Sequence, residues 1–289
     1  MKQIFKHISE TYIERLTSLS KRSEIWIKTT DNYPANLDYK TFPSTLITKE
    51  SGDLGLALLW LVQTTLVQPL IKRFHREKTN VLGALAHSED PKDPVLLEIH
   101  ERTITLRGIK KYITGGREAE VLFVTCRKVD NDSIQHLVMI KKDDIDSSTL
   151  KDLHLEALKT VSHGSLHLKD LTLPKERLLS IEGSELKRHV KIWGIIERTM
   201  IMDAALGLVH YISRELNKSF NAKELSETIQ ESLKDQIKAA QSGQRISIPP
   251  IDLKEFSQII KDASQTAQES SDPAMNERAK DLSFILKLG

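Results

Sequence analysis

Glu197 stands in an apolar run, with Ile192, Trp193, Ile195 and Ile196 before it and Met200 and Ile201 after. Burial among such neighbours penalises the charged carboxylate and raises its pKa, which tunes a glutamate toward work as a general base. The competing reading is an ion pair with the adjacent Arg198 at a surface or interface. Asp203 lies about one residue short of two helical turns further on and reads as a packing or salt-bridge acid. The other reactive side chains offer less. His163 and His167 share a strand face only by their spacing and lack a third ligand, so no metal site is expected. Cys126, the single cysteine, closes the apolar run Val121–Cys126; it makes no internal disulfide and is expected as a buried, inert thiol. Lys72, Arg73, His75, Arg76 and Lys78 could meet phosphates, but cations also favour the end of a helix for its own sake. There is no Gly-rich phosphate loop, no His-Glu-x-x-His and no Gly-x-Ser-x-Gly.

The elements that must hold these groups follow from composition and periodicity. With 39% hydrophobic and 28% charged residues, the 289-residue chain suits a soluble globular protein of one large domain or two to three smaller ones. Only 12 glycines and 9 prolines argue against an all-β sandwich and for substantial helix. The 42 basic and 40 acidic residues leave a net charge of +2, which argues against a nucleic-acid partner. No apolar signal-peptide core follows the N-terminus. The most apolar stretch, Leu54–Ile71, is interrupted by Gln63, Gln68 and Pro69 and reads as a buried helix rather than a membrane span. A cytoplasmic protein is the expectation.

Three segments follow one another. Residues 1–91 are expected as an N-terminal helical domain. Ile4, Ile8, Tyr12 and Leu16 form a stripe; Pro34, Asn36, Pro43 and Ser44 break it; Leu54–Leu66, apolar all round, reads as the central helix of a bundle. Residues 92–183 are expected as a small antiparallel β-domain. Val95–Ile99 and Thr103–Leu106 form a hairpin, Val121–Thr125 and Leu137–Ile140 are further strands, and Gly164–Leu168 alternates with period two. Residues 184–289 return to helix. Asn221 and Glu224 resemble a capping arrangement, and Leu225, Ile229, Leu233 and Ile237 make a stripe with Gly243 beyond it. Pro249-Pro250 precedes a helix whose Leu253, Phe256, Ile260 and Ala263 share a face. Ser270–Pro273 then breaks the chain before a last helix with Leu282, Ile285 and Leu286.

Within that order Leu106–Glu120, LRGIKKYITGGREAE, resembles the middle-domain segment of acyl-CoA dehydrogenases. In that family a strand ends in Leu-x-Gly-x-Lys, followed by an aromatic, Ile and Thr or Ser, a small-residue turn and an Ala-acid pair. Thr160–Pro174 is similar to the family's last β-strand and its Val-Pro exit, continued by Leu178-Leu179 and Gly183. Gly52–Ala57 resembles a helix start in the N-terminal domain, and Ile196-Glu197-Arg198 with Ala204–Leu208 resembles the long first helix of the C-terminal domain. The resemblance covers about Gly52 to Leu216. The sequence also departs from the pattern. Ala86–Pro91 stands where a Thr-Glu-Pro-x-x-Gly-Ser-Asp-type loop would hold flavin and substrate, and its glycines are missing. Arg214 comes before the register of the family's phosphate-binding arginine, with Lys223 the nearest basic residue, and the C-terminal Arg-Asp and Gly-Thr motifs are absent.

The resemblance implies an α+β protein of acyl-CoA dehydrogenase type: N-terminal helical domain, small antiparallel β-domain, C-terminal helical bundle. It implies FAD as cofactor and α,β-dehydrogenation of an acyl-CoA or related thioester. Glu197 falls in the register of members that take their base from the helix after the β-domain. Tyr112, Ile113 and Thr114 match the positions that stack on and hydrogen-bond the flavin ring, though these residues are also good strand formers. Arg198 is the candidate for the substrate. A homodimer or homotetramer is implied because C-terminal helices of the family pair across subunits. Two readings stand: this flavoprotein oxidoreductase, or an inactive relative serving as oligomeric scaffold, partner subunit or ligand-binding module.

Overall fold

The computed structural model describes residues 8–17, 43–74, 81–90, 92–129, 131–242, 244–246, 248 and 251–288. The expectations placed on Ile4, Pro34, Asn36, His75, Arg76, Lys78, Pro91, Gly243 and Pro249-Pro250 lie outside these residues. Two compact units result. Of the described residues, one unit gathers those up to Leu61, the loop Leu155–Val161 and those from Gly194 on; the other holds those within Val62–His154 and Ser162–Trp193.

The first unit is helical. Ile8 and Tyr12 of the predicted stripe are buried, Tyr12 at the start of α1 (Tyr12–Thr17). Helix α2 (Pro43–Ser51) begins at a proline expected to break the chain, because a first-turn proline gives up an N–H that has no helical partner anyway. Asp53 then caps α3 (Leu54–Val62), its Oδ1 accepting from the Leu56 N–H at 2.8 Å. The chain passes through a π turn, Gln63–Val67, into α4 (Gln68–Phe74) of the second unit. Pro69 explains the wide turn: it has no N–H to return to the Thr65 carbonyl, and its ring would crowd that oxygen in an α turn. By length and composition alone Leu54–Phe74 could cross a membrane, but 89% of its most apolar stretch is buried inside the protein. That is the pattern of a core helix.

Helix α5 (Gly183–Glu215) starts in the second unit and ends in the first. Gly207 is required there, since a Cβ would lie 2.1 Å from Thr48 Oγ1 and 2.9 Å from the Thr45 carbonyl of α2. Helix α6 (Lys223–Gln241) buries Leu225, Ile229, Leu233 and Ile237 as predicted. Its cap differs from the expectation. Ala222 is the N-cap and no side chain bonds there, so Asn221 and Glu224 do not form a box. Helix α7 (Leu253–Gln268) is capped instead by Asp252, which accepts from the Lys254 and Glu255 N–H groups. It buries Phe256, Ile260 and Ala263, while Leu253, at its first position, is 65% exposed. Helix α8 (Pro273–Leu288) follows the predicted break and packs on α7, where the Ser264 hydroxyl donates to the Ala279 carbonyl at 2.9 Å.

The second unit is built on one sheet. Its strands are β1 (Gly83–Ala86), β2 (Leu96–Ile99), β3 (Thr103–Thr114), β4 (Val121–Lys128), β5 (Asn131–Lys141), β6 (Leu150–Asp152), β7 (His163–Pro174) and β8 (Leu178–Glu182). They run in the order β6-β7-β3-β2-β4-β5-β8, with β1 also on β4. The predicted hairpin is β2–β3. Pairing is antiparallel except where β4 meets β1 and β2, which lie parallel to it and end to end along one of its edges. Between Ala86 and Leu96 the chain leaves the strand as a loop and returns to β4 at Val95, whose carbonyl accepts from the Arg127 N–H at 2.8 Å. Gly108 makes this possible. Its φ is 124°, and a Cβ there would lie 2.5 Å from the Pro94 carbonyl, so no other residue fits beside the returning loop.

Candidate functional site

Strand β3 faces inward at Ile104, Leu106 and Lys110, in period two, and then changes phase. Against β7, Lys110 pairs with Leu166 and Ile113 with Gly164, so Lys111 and Tyr112 together oppose a single residue. This bulge shifts the alternation by one, which turns Ile113 rather than Tyr112 into the core. Ile113 is completely buried, Tyr112 is 59% exposed, and Thr114 is half-buried. Tyr112 also has φ 60°, a left-handed conformation that costs a non-glycine residue on the order of 1–3 kcal/mol. Of the three residues predicted to meet a flavin ring, Tyr112 and Thr114 therefore offer side chains; Ile113 has only backbone to offer.

The loop leaving β1 is fastened to this strand. The Lys111 N–H donates to the Ser88 carbonyl at 2.9 Å. Lys110, 1% exposed, directs its ammonium to the His87 carbonyl at 3.0 Å, to the Thr125 hydroxyl at 3.2 Å and to the Glu89 carboxylate. Glu89 also meets Arg127 at 3.0 Å and the Val95 N–H at 3.2 Å. Burial works to raise the Glu89 carboxyl, but the hydrogen bond and charge of Lys110, with Val95 and Arg127, hold it below the usual range. Burial lowers the Lys110 ammonium, and Glu89 offsets part of that. The His87 ring, 3.0 Å from Thr125 Oγ1, is lowered by burial and by the charge of Lys110, which keeps it neutral at pH 7. Cys126 is buried as expected, its thiol pushed up to about 12 by burial. The motif does not predict the Lys110–Glu89 pair, although period two places Lys110 inward, where a lysine must find a carboxylate.

In the first unit Glu197 is half-buried on α5, with Arg198 exposed beside it. Burial pushes the Glu197 carboxyl up, and the Arg198 charge opposes this only in part. Glu197 makes no ion pair among the described residues. Asp203, buried further along α5, is held by the Thr45 hydroxyl and by the Gln230 amide at 3.3 Å; it ties α2, α5 and α6 together, the packing role expected of it. Arg214 closes α2 by donating to the Lys49 carbonyl at 3.1 Å.

The same unit encloses a second charged cluster. Arg15 pairs with Asp53, both side chains 0% exposed, and Thr160 Oγ1 donates to Asp53 at 2.7 Å. Asp281 accepts from the Leu158 N–H at 2.6 Å and from the Tyr12 hydroxyl at 3.3 Å, and burial lifts its carboxyl to about 7. Arg278 lies over the Tyr12 and Tyr211 rings, 4.1 and 4.7 Å from their centroids, and donates to the Gly52 carbonyl at 3.0 Å. Such enclosure leaves no face for a ligand.

No protein-family model and no curated protein matches the sequence. Solved structures do match. An acyl-CoA dehydrogenase from Geobacillus kaustophilus superposes with a TM-score of 0.66 at 16% identity, covering 96% of this chain and 88% of that one. The HsaA monooxygenase from M. tuberculosis gives 0.66 at 9% identity, over 99% and 92% of the two chains. Butyryl-CoA dehydrogenase from Megasphaera elsdenii gives 0.55 at 16% identity, over 83% and 76%. At such identities the likeness speaks for the fold.

Proposed function

The chain has the acyl-CoA dehydrogenase fold, as its motifs predict, and from that premise we propose that it is a flavin-dependent oxidoreductase acting on an acyl-CoA or related thioester. The observation that carries the proposal is Glu197, a half-buried carboxylate raised by burial and unpaired among the described residues. The α-proton of a thioester is weakly acidic, so its removal calls for a carboxylate of raised pKa in a water-poor setting. Glu197 accepts that proton, and the exposed Arg198 is suited to anionic groups of the substrate.

Tyr112 and Thr114 fit the ring end of a flavin, with an exposed aromatic face for stacking beside a half-buried hydroxyl for hydrogen bonding. When bound, the flavin supplies the acceptor for the hydride that leaves the β-carbon. Residues 86–90 hold the rest of such a cofactor less readily. They contain no glycine, and the His87 and Ser88 carbonyls are already bonded to β3.

Purified protein incubated with FAD should show oxidised-flavin bands that bleach on adding acyl-CoAs. Glu197→Gln should keep the bands and slow bleaching by about 10²–10⁴-fold. Bleaching at the wild-type rate removes Glu197 from the mechanism. One observation favours a second reading, an inactive relative working as homo-oligomeric scaffold or partner subunit: the glycine-free loop is locked onto the sheet. A stable homodimer or tetramer that takes up no flavin would support it.

A further inference from the structure

We infer that Lys110 is a positioning residue: its ammonium locks the loop at residues 87–89 against β3 and so sets the bulge that holds the Tyr112 ring out as a platform for a planar ligand. That the ligand is flavin rests on the function proposed above; the lock itself does not.

The backbone of Tyr112 is the starting point. An exposed tyrosine gains little packing to offset its left-handed conformation, which glycine would adopt at no steric cost. The conformation persists because both flanks are anchored. Downstream, Ile113 sits in the sheet core, its carbonyl accepts from the Gly116 N–H at 3.2 Å, and the Gly115 N–H donates to the Ser162 carbonyl at 2.8 Å. Upstream, the anchor is Lys110. An ammonium has three donors, and here one goes to β4 through Thr125 while two go to the loop, at the His87 carbonyl and Glu89. The loop held in this way offers the Ser88 carbonyl to the Lys111 N–H, which the bulge turns away from β7. Without that partner the bulged N–H would be orphaned. A methionine could fill the inward position beside Ile104 and Leu106, so space alone does not account for a lysine there.

The test compares wild type with Lys110→Met, in which Glu89 keeps Arg127. Hydrogen exchange of the Lys111 amide should rise about tenfold or more in the variant. The dissociation constant for FAD should rise about tenfold, with the absorption bands moving toward those of free flavin, while far-UV circular dichroism stays as in wild type. An unchanged Lys111 exchange rate, or flavin held with wild-type affinity and bands, overturns the inference. If Lys110→Met does not fold, Glu89→Gln loosens the same lock and must shift both readouts in the same direction; no shift overturns it equally. Should wild type itself bind no flavin, the functional reading falls, and Lys111 exchange alone decides the lock.

Discussion

Each unit buries a cation against a carboxylate, and the two pairs serve different ends. Arg15 and Asp53 are 0% exposed, joined by Thr160 and flanked by Asp281 and Arg278. Lys110 is as deeply placed, but its partner Glu89 is 12% exposed, sits on a loop, and adjoins a strained, exposed tyrosine. A pair closed on every side fastens elements together. A pair that borders strained, accessible backbone positions something for use. Depth of burial does not separate the two; the surroundings do.

The largest effect should come from breaking the closed pair. Asp53→Ala strands a buried guanidinium and uncaps α3, so urea unfolding of this variant should show a loss of about 3–5 kcal/mol, with Lys111 exchange below the unfolding limit unaltered. A loss under about 1 kcal/mol would mean that Arg15 finds another partner. The two clusters should also answer pH with opposite slopes. The Asp281 carboxyl titrates at about 7 in the folded chain, above its ordinary 3.8. Between those values the unfolded state binds fewer protons, so this group's stabilisation, complete at low pH, is lost as pH rises to about 7. Asp281→Asn should therefore melt above wild type at pH 8, by on the order of 2–4 kcal/mol, and the gap should close toward pH 4.

Glu89 is held below its ordinary range. Its contribution is present above that range and fades as pH falls through the folded value, so Glu89→Gln should cost about 1–2 kcal/mol at pH 7 and less in acid. Matching slopes at the two sites would erase the distinction drawn between them. The smallest effect has the opposite sign. Tyr112→Gly should stabilise the chain by about 1 kcal/mol in thermal melts while weakening flavin binding. A destabilised Tyr112→Gly would show that the ring is a packing residue after all.

The helix–sheet–helix order, the hairpin and the α6 stripe were legible because each repeats locally, at 3.6 or 2 residues. Strand β1 was not, since Gly83–Ala86 is too short to alternate and falls within the segment expected as helical. The bulge was hidden for another reason: the phase change at Lys111-Tyr112 depends on the register of β7, which the β3 sequence does not contain. The motif thus marked Tyr112–Thr114 as a group but could not say that Ile113 turns inward. Pairs such as Lys110 with Glu89, or Tyr12 with Asp281, join residues far apart in the chain and leave no periodic trace. Glu197 comes to notice through the register that the resemblance implies, and its apolar neighbours in sequence foretell only its burial on α5.

Calorimetric titration of the wild-type chain with FAD tests the central claim most directly. A flavoprotein should show about one site per chain with a dissociation constant of about 1 μM or tighter. Absence of binding by a folded chain would contradict the assignment.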